Sequence, residues 1–414
     1  MRSFLILAFT MVLANHSMAQ APEMLWQKTY GGKKNDSLIS IIKTNDGGFL
    51  VTGQSNSDAV RKKSQNSFAG SFDYWILKLD SEGLVVWDKT IGGNGSDIRP
   101  VAIEAHDGGF LIGGSSNSAM STDKREDAIN ESYDFWIIKT DAIGNVLWEN
   151  TIGGVQLEIL TDMVIVPEGY MLGGYSHTNS ELDRNDKTEP NRGSSLWADY
   201  WMLKTDKRGR VLWDKAYGGG NEDQPATFKG TADGGFVFGG YSYSDIEYEK
   251  SEIYIGNNDY WIVKTDAAGN KQWDKIYGGA LSDHQTAIQQ TADGGYILGG
   301  YSNSPISGNK AGIFKGVVDY WVIKIDANRN VIWDKTIGGQ KGDYLTSIQQ
   351  TADGGYIIGG SSNSDQSVQK SENSKGGYDA WIVKLDGGGN YVWDKTIGGS
   401  ADDKLSMIKE ISPD

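Results

Sequence analysis

Seven acidic residues each stand ten positions after a recurring tryptophan. Asp36, Asp97, Glu158, Asp223, Asp283, Asp343 and Asp403 follow Trp26, Trp87, Trp148, Trp213, Trp273, Trp333 and Trp393. Gathered on one face of a closed ring, such carboxylates could hold a cation, calcium being the hard ion that oxygen ligands suit, or could meet a basic partner. The same residues have a structural use that weighs more heavily, because Asp accepts backbone hydrogen bonds within its own turn. Aromatic residues supply the other candidate chemistry. Trp197 is the one tryptophan out of phase with the repeat and lies in the longest loop, 175–198, while Tyr241, Tyr243, Tyr248 and Tyr254 crowd the corresponding loop of the next unit. Rings among hydroxyls and amides suit sugars, by stacking and hydrogen bonding. Trp197 stapling its own loop to the surface is an equal alternative.

Catalytic and metal signals are weak. The three histidines beyond the N-terminal segment, His106, His177 and His284, lack zinc-ligand spacing. The acidic run Glu181, Asp183, Asn185 and Asp186 lacks the D-x-D-x-D-G calcium pattern. No nucleophile elbow, phosphate loop or Ser/His/Asp arrangement stands out. A carbohydrate-active enzyme would need two carboxylates roughly 5–9.5 Å apart in a cleft. A catalytic pair should break the repeat, whereas these carboxylates follow it, so a binding or interaction scaffold is the preferred reading and an enzyme the alternative.

The elements that must carry these residues follow from the repeat, whose unit is about sixty residues. Each offers four strands, seen best in the fifth: an apolar stretch before Asp-Gly-Gly (286–291), a run from Tyr296 to the next Gly-Gly, the stretch Asp319 to Asp326, and Val331 to Ile337. Asp-Gly-Gly at 46, 107, 233, 293 and 353 can supply the positive φ of a tight hairpin. Pro167-Glu168-Gly169 replaces it once and is a residue shorter, so that hairpin should differ. The third strand is apolar in both phases, as in Tyr74, Trp75, Ile76, Leu77 and Leu79, which requires cover on both faces. Four-stranded units of even spacing predict an all-β fold, a single β-propeller.

The motif D-[YFA]-W-x-x-K occurs six times, at Asp73, Asp134, Asp199, Asp259, Asp319 and Asp379, giving six blades. A fourth-strand copy (Leu25 to Tyr30) and a first-strand copy (Leu405 to Ile411) are left over; they are expected to close the ring, with a seventh, incomplete blade as the alternative. All six long loops follow second strands, so they should share one face with the connections between blades.

Composition bounds the setting. Gly at 55 of 414 residues beside 20 Tyr and 14 Trp suggests a turn-rich, aromatic-rich β protein. No Cys is present, which excludes disulfides and thiolate chemistry, and a net charge of -15 opposes nucleic acid. Residues 1–19 read as a signal peptide, with Arg2, an apolar run from Phe4 to Ala14 and Ser17-Met18-Ala19 before the cut. The propeller would then occupy 20–414 of an exported protein, periplasmic or extracellular, without membrane insertion. Glycans or an extracellular protein are the expected partners.

Taken together, GGSADDKLSMIKEI, GGYIIGGSSNS and YDAWIVKLDGGGNYVWDKTIGG resemble bacterial β-propeller repeats of the SBBP type and the kelch strand arrangement. The resemblance runs over essentially all of Leu25 to Ile411. It implies the fold and says little about activity, because propellers host enzymes, lectins and scaffolds alike.

Overall fold

The computed structural model describes residues 21–60, 62–179, 187–194 and 196–411, together with the backbone of Phe4–Phe9. The fold is an all-β propeller of six four-stranded antiparallel blades, 36–91, 97–152, 158–217, 223–277, 283–337 and 343–397, each built from consecutive strands. Blades 1 to 3 belong to one compact unit and blades 4 to 6 to a second. Blade 5 is representative: Asp283–Gln290, Tyr296–Ser302, Asp319–Ile325 and Val331–Ile337.

The hairpins form where the residues allow them. In blade 1 Gly47 adopts φ 86°, and Gly48 lies so close to the third strand that a Cβ would fall 2.2 Å from Leu79 O. The two glycines thus serve different ends, one a backbone twist and the other a close approach. Asp46 accepts the Gly48 N–H (3.1 Å) and pairs with Lys78 Nζ (2.7 Å). Blade 3 replaces this turn with a two-residue hairpin, Pro167-Glu168 between paired Val166 and Gly169, and Glu168 takes the aspartate's place opposite Lys204 (3.0 Å).

Each third strand is buried on both faces. Within each unit its aromatics join neighbouring blades: Tyr74 meets Trp136 at 5.2 Å, Phe135 meets Trp201 at 4.8 Å, Tyr260 meets Trp321 at 4.8 Å and Tyr320 meets Trp381 at 4.9 Å. Within each unit fourth-strand tryptophans pack on the second strand of the following blade, as Trp333 does on Tyr356. A register shift in each fourth strand bulges one residue outward, which is why Val86, Leu147, Leu212 and Ile332 are exposed.

Neither leftover repeat piece enters a blade sheet. Met24–Tyr30 pairs with Phe4–Phe9, and Trp26 packs on Gly83 as Trp87 packs on Gly144. Between this strand and the edge of blade 1 lies a cavity of about 370 Å³ lined by Tyr30, Val60, Lys62, Leu84 and Val85. At the other end 401–411 forms no strand, yet it covers blade 6 where a next first strand would lie. Thr346 Oγ1 donates to Leu405 O (2.9 Å) just as Thr286 Oγ1 donates to Leu345 O (2.8 Å) between blades 5 and 6. Most of the expected signal peptide, its cleavage site included, lies outside the described residues. No helix among the described residues is long and apolar enough to cross a membrane.

Candidate functional site

Six of the seven periodic carboxylates begin first strands and are engaged by the turns that lead into them. Asp343 Oδ2 accepts the Gly339 N–H (2.8 Å) and Ser364 Oγ (3.0 Å); Asp283 Oδ2 accepts Gly279 N–H (2.7 Å) and Ser304 Oγ (2.9 Å). Asp36, Asp97, Glu158 and Asp223 repeat this pattern and are buried, while Asp403 keeps only the Gly399 N–H and is half-buried. Burial pushes Asp97 and Asp223 up to about 6. Among the described residues no group of three or more His, Asp or Glu is placed to hold a metal ion. A substrate therefore meets none of the six buried carboxylates at the surface.

The long loops are pinned by residues the sequence reading passed over. Each sends one buried lysine, Lys63, Lys124, Lys187, Lys250, Lys310 or Lys370, back into its own blade. Lys370 Nζ donates to Thr396 Oγ1 (3.0 Å) and Glu372 O (2.7 Å) and stands 5.9 Å from the Trp381 ring centre; Lys124 stands 5.3 Å from that of Trp136. The aspartate of the W-D-K motif holds the same loop. Asp274 Oδ2 accepts the Ser251 N–H (2.8 Å) and the Trp261 Nε1–H (3.1 Å), and Asp334 does likewise for Ala311 and Trp321. The signal was present: a lysine stands nine to twelve residues before the aspartate of every third-strand motif. Among the described residues these loops are therefore anchored to their blades.

On blades 4 to 6 a row of rings breaks the repeat. Tyr243 meets Tyr241 at 5.9 Å, Tyr241 meets His284 at 4.7 Å, His284 stacks on Tyr301 at 5.1 Å, Tyr301 meets Tyr344 at 5.0 Å and Tyr344 meets Tyr378 at 5.8 Å. Lys404 Nζ closes the row 5.6 Å from the Tyr378 ring centre. The rings sit at the loop-bearing ends of first, second and third strands, where the corresponding positions of blade 1 are Ser37, Gln54 and Phe72. All except the more exposed Tyr243 are half-buried, so each offers part of its surface to solvent. Tyr241 is held by its hydroxyl donating to Gln224 Oε1 (2.8 Å), and the buried Asn258 Nδ2 contacts the His284 ring (3.2 Å). Burial lowers the His284 pKa, favouring a neutral imidazole.

Of the sequence candidates, the structure brings Tyr241 and Tyr243 into this row. Tyr248 is 60% exposed with φ 50°, and Tyr254 is half-buried; among the described residues neither makes a ring contact with the row. Trp197 is 41% exposed on the blade 3 loop, held through its backbone by Ser194 O and Asn191. Glu181, Asp183, Asn185 and Asp186 lie outside the described residues.

No protein-family model matches the chain, and no curated protein matches it. Solved structures are similar in fold alone. A protein of unknown function from Bacteroides caccae shares 12% identity, with 80% of this chain and 94% of that one covered and a TM-score of 0.41. A member of the DUF4221 family from Bacteroides vulgatus shares 12%, covering 95% and 99% at a TM-score of 0.42. A puromycin hydrolase shares 11%, covering 90% and 48% at a TM-score of 0.46. At this distance they carry no argument about activity.

Proposed function

We propose that this chain is an exported, non-catalytic propeller of the SBBP-like, kelch-like kind, whose loop-bearing face on blades 4 to 6 binds a glycan. The observation that supports this reading is the row from Tyr243 to Tyr378: partly exposed rings in continuous contact on ordered strand ends, where the first and second strands of blade 1 carry Ser37 and Gln54. Rings fixed by packing lose little freedom when a ligand stacks on them, which favours binding. The periodic carboxylates of blades 1 to 6 are buried under their own turns, which weighs against an enzyme that would use them.

A second reading has its own support. Ile246, Ile253, Ile306, Ile313, Val317 and Val368 are exposed on the long loops of the same blades, an apolar fringe that suits an extracellular protein partner. A glycan-array screen of residues 20–414, with the double variant Tyr301→Ala/Tyr344→Ala and Trp197→Ala alongside, separates these. Binding lost in the double variant and kept in Trp197→Ala supports the row. Binding lost only in Trp197→Ala moves the site to blade 3, and no binding to any glycan leaves the protein partner as the reading to test.

A further inference from the structure

At the junction of blades 2 and 3 two buried carboxyl groups face one another. Asp134 opens the third strand of blade 2 and Glu158 the first strand of blade 3, and both side chains are buried. Asp134 Oδ1 and Glu158 Oε2 lie 2.0 and 2.8 Å from the point where a Cβ on Gly153 would stand, so the two carboxyls border one another there. Asp134 Oδ2 accepts the Ile129 N–H (2.5 Å). Glu158 Oε1 accepts Ser176 Oγ (2.8 Å) and Thr178 Oγ1 (2.6 Å), and Oε2 accepts Gly154 N–H (2.8 Å). Asp134 Oδ1 receives no donor from any of its neighbours. The corresponding first-strand residue is aspartate in every other blade, and at the blade 5–6 junction Asp319 Oδ1 and Asp343 Oδ2 lie at similar distances, 2.1 and 2.9 Å, from a Cβ on Gly338.

The charged groups around the pair are Lys124, from the blade 2 loop, which acts on Asp134, and Lys187, from the blade 3 loop, which acts on Glu158. Lys124 Nζ is directed at Thr151 Oγ1 (2.5 Å) and the Trp136 ring. Two ionised carboxylates in contact, away from water, repel strongly. We propose that Asp134 and Glu158 share one proton, which supplies the donor that Oδ1 lacks and makes the blade 2–blade 3 junction a pH-sensitive latch.

Burial, then the Glu158 charge, raises Asp134 well above the usual carboxyl range, and burial raises Glu158. A carboxyl raised on folding binds its proton more tightly in the folded state. The stability this confers is complete below the unfolded value of about 4 and is lost as pH climbs through the folded value.

The test is equilibrium unfolding of the full chain between about pH 5 and about pH 9. In Glu158→Gln the amide supplies a permanent donor to Asp134, so the ratio of wild-type to variant unfolding constants should grow with pH, approaching tenfold per unit for one proton. Asp134→Asn, which removes the other carboxyl and offers Glu158 an amide donor, should show the same growth, and keeps the idea testable if the Glu158 variant does not fold. A protonated-carboxyl stretch in the infrared near neutral pH, lost in Asp134→Asn, is the companion readout. A ratio flat with pH overturns the proposal, as does a missing infrared band. So does stabilisation of the wild type, but not of Glu158→Gln, by added calcium or sodium at fixed pH, which would make the pair a cation site.

Discussion

Asp274 is one of the groups that fasten the loop carrying Tyr243, Tyr248 and Tyr254 to blade 4, beside Lys250 and Glu252, and Asp274→Ala loosens it. Asp274 is buried and accepts the Ser251 N–H, the indole N–H of fully buried Trp261 and Lys271 Nζ (2.9 Å). Burial opposes its charge, but the hydrogen bonds from Lys271, Ser251 and Trp261 outweigh this and hold its pKa below the usual range. Leaving a buried indole N–H unsatisfied costs about 1–3 kcal/mol, and a lost hydrogen bond to a charged group about 1.5–3 kcal/mol. Ser251 is exposed and can turn to water, which puts its share at the lower end. The expected total is about 3 kcal/mol, and about half of that for Asp274→Asn, which keeps one acceptor oxygen. Guanidinium unfolding measures the cost, and hydrogen exchange at the Ser251 amide should quicken. A cost below about 1 kcal/mol, with exchange unchanged, would refute the idea that this carboxylate orders the loop.

Three further outcomes follow from the same reasoning. Gly338→Ala would place a Cβ 2.1 Å from Asp319 Oδ1, so denaturant unfolding should show a loss of about 3 kcal/mol or more. Lys370→Met removes a buried ammonium from Thr396 Oγ1 and Glu372 O and should cost about 2–4 kcal/mol by the same assay, with faster exchange in 363–378. The hydrogen bond from Lys78, then that from Thr44, holds Asp46 at about 2, so the stability this turn contributes is present above about pH 4 and lost as pH falls through about 2. Asp46→Asn should flatten that part of the acid-unfolding curve.

The propeller was legible because its rules are local and repeated. Asp-Gly-Gly marks the first hairpin, the two-sided apolar run around Trp75 or Trp321 marks a strand covered on both faces, and the Trp-to-Trp spacing sets the blade. The bulges that turn Val86 and Ile332 outward were not legible, since register depends on the partner strand as much as on the bulged residue. The anchoring of the loops was not legible either: Lys250 and Lys370 bury their ammonium groups beneath them, an arrangement visible only once Trp261 and Trp381 are placed. Tyr241 and Tyr243 drew attention as two of four tyrosines crowded together, with Tyr248 and Tyr254. His284, Tyr301, Tyr344 and Tyr378 did not, because each looks like an ordinary variant of its repeat position until neighbouring blades bring them edge to edge.

The measurement that bears most directly on the glycan-binding face is a crystal structure of residues 20–414 with the best ligand from the array. The account expects sugar density against the rings between Tyr241 and Tyr378, with Tyr301 and Tyr344 in contact. Density at Trp197 or in the cavity beside Tyr30, with the row bare, would contradict it.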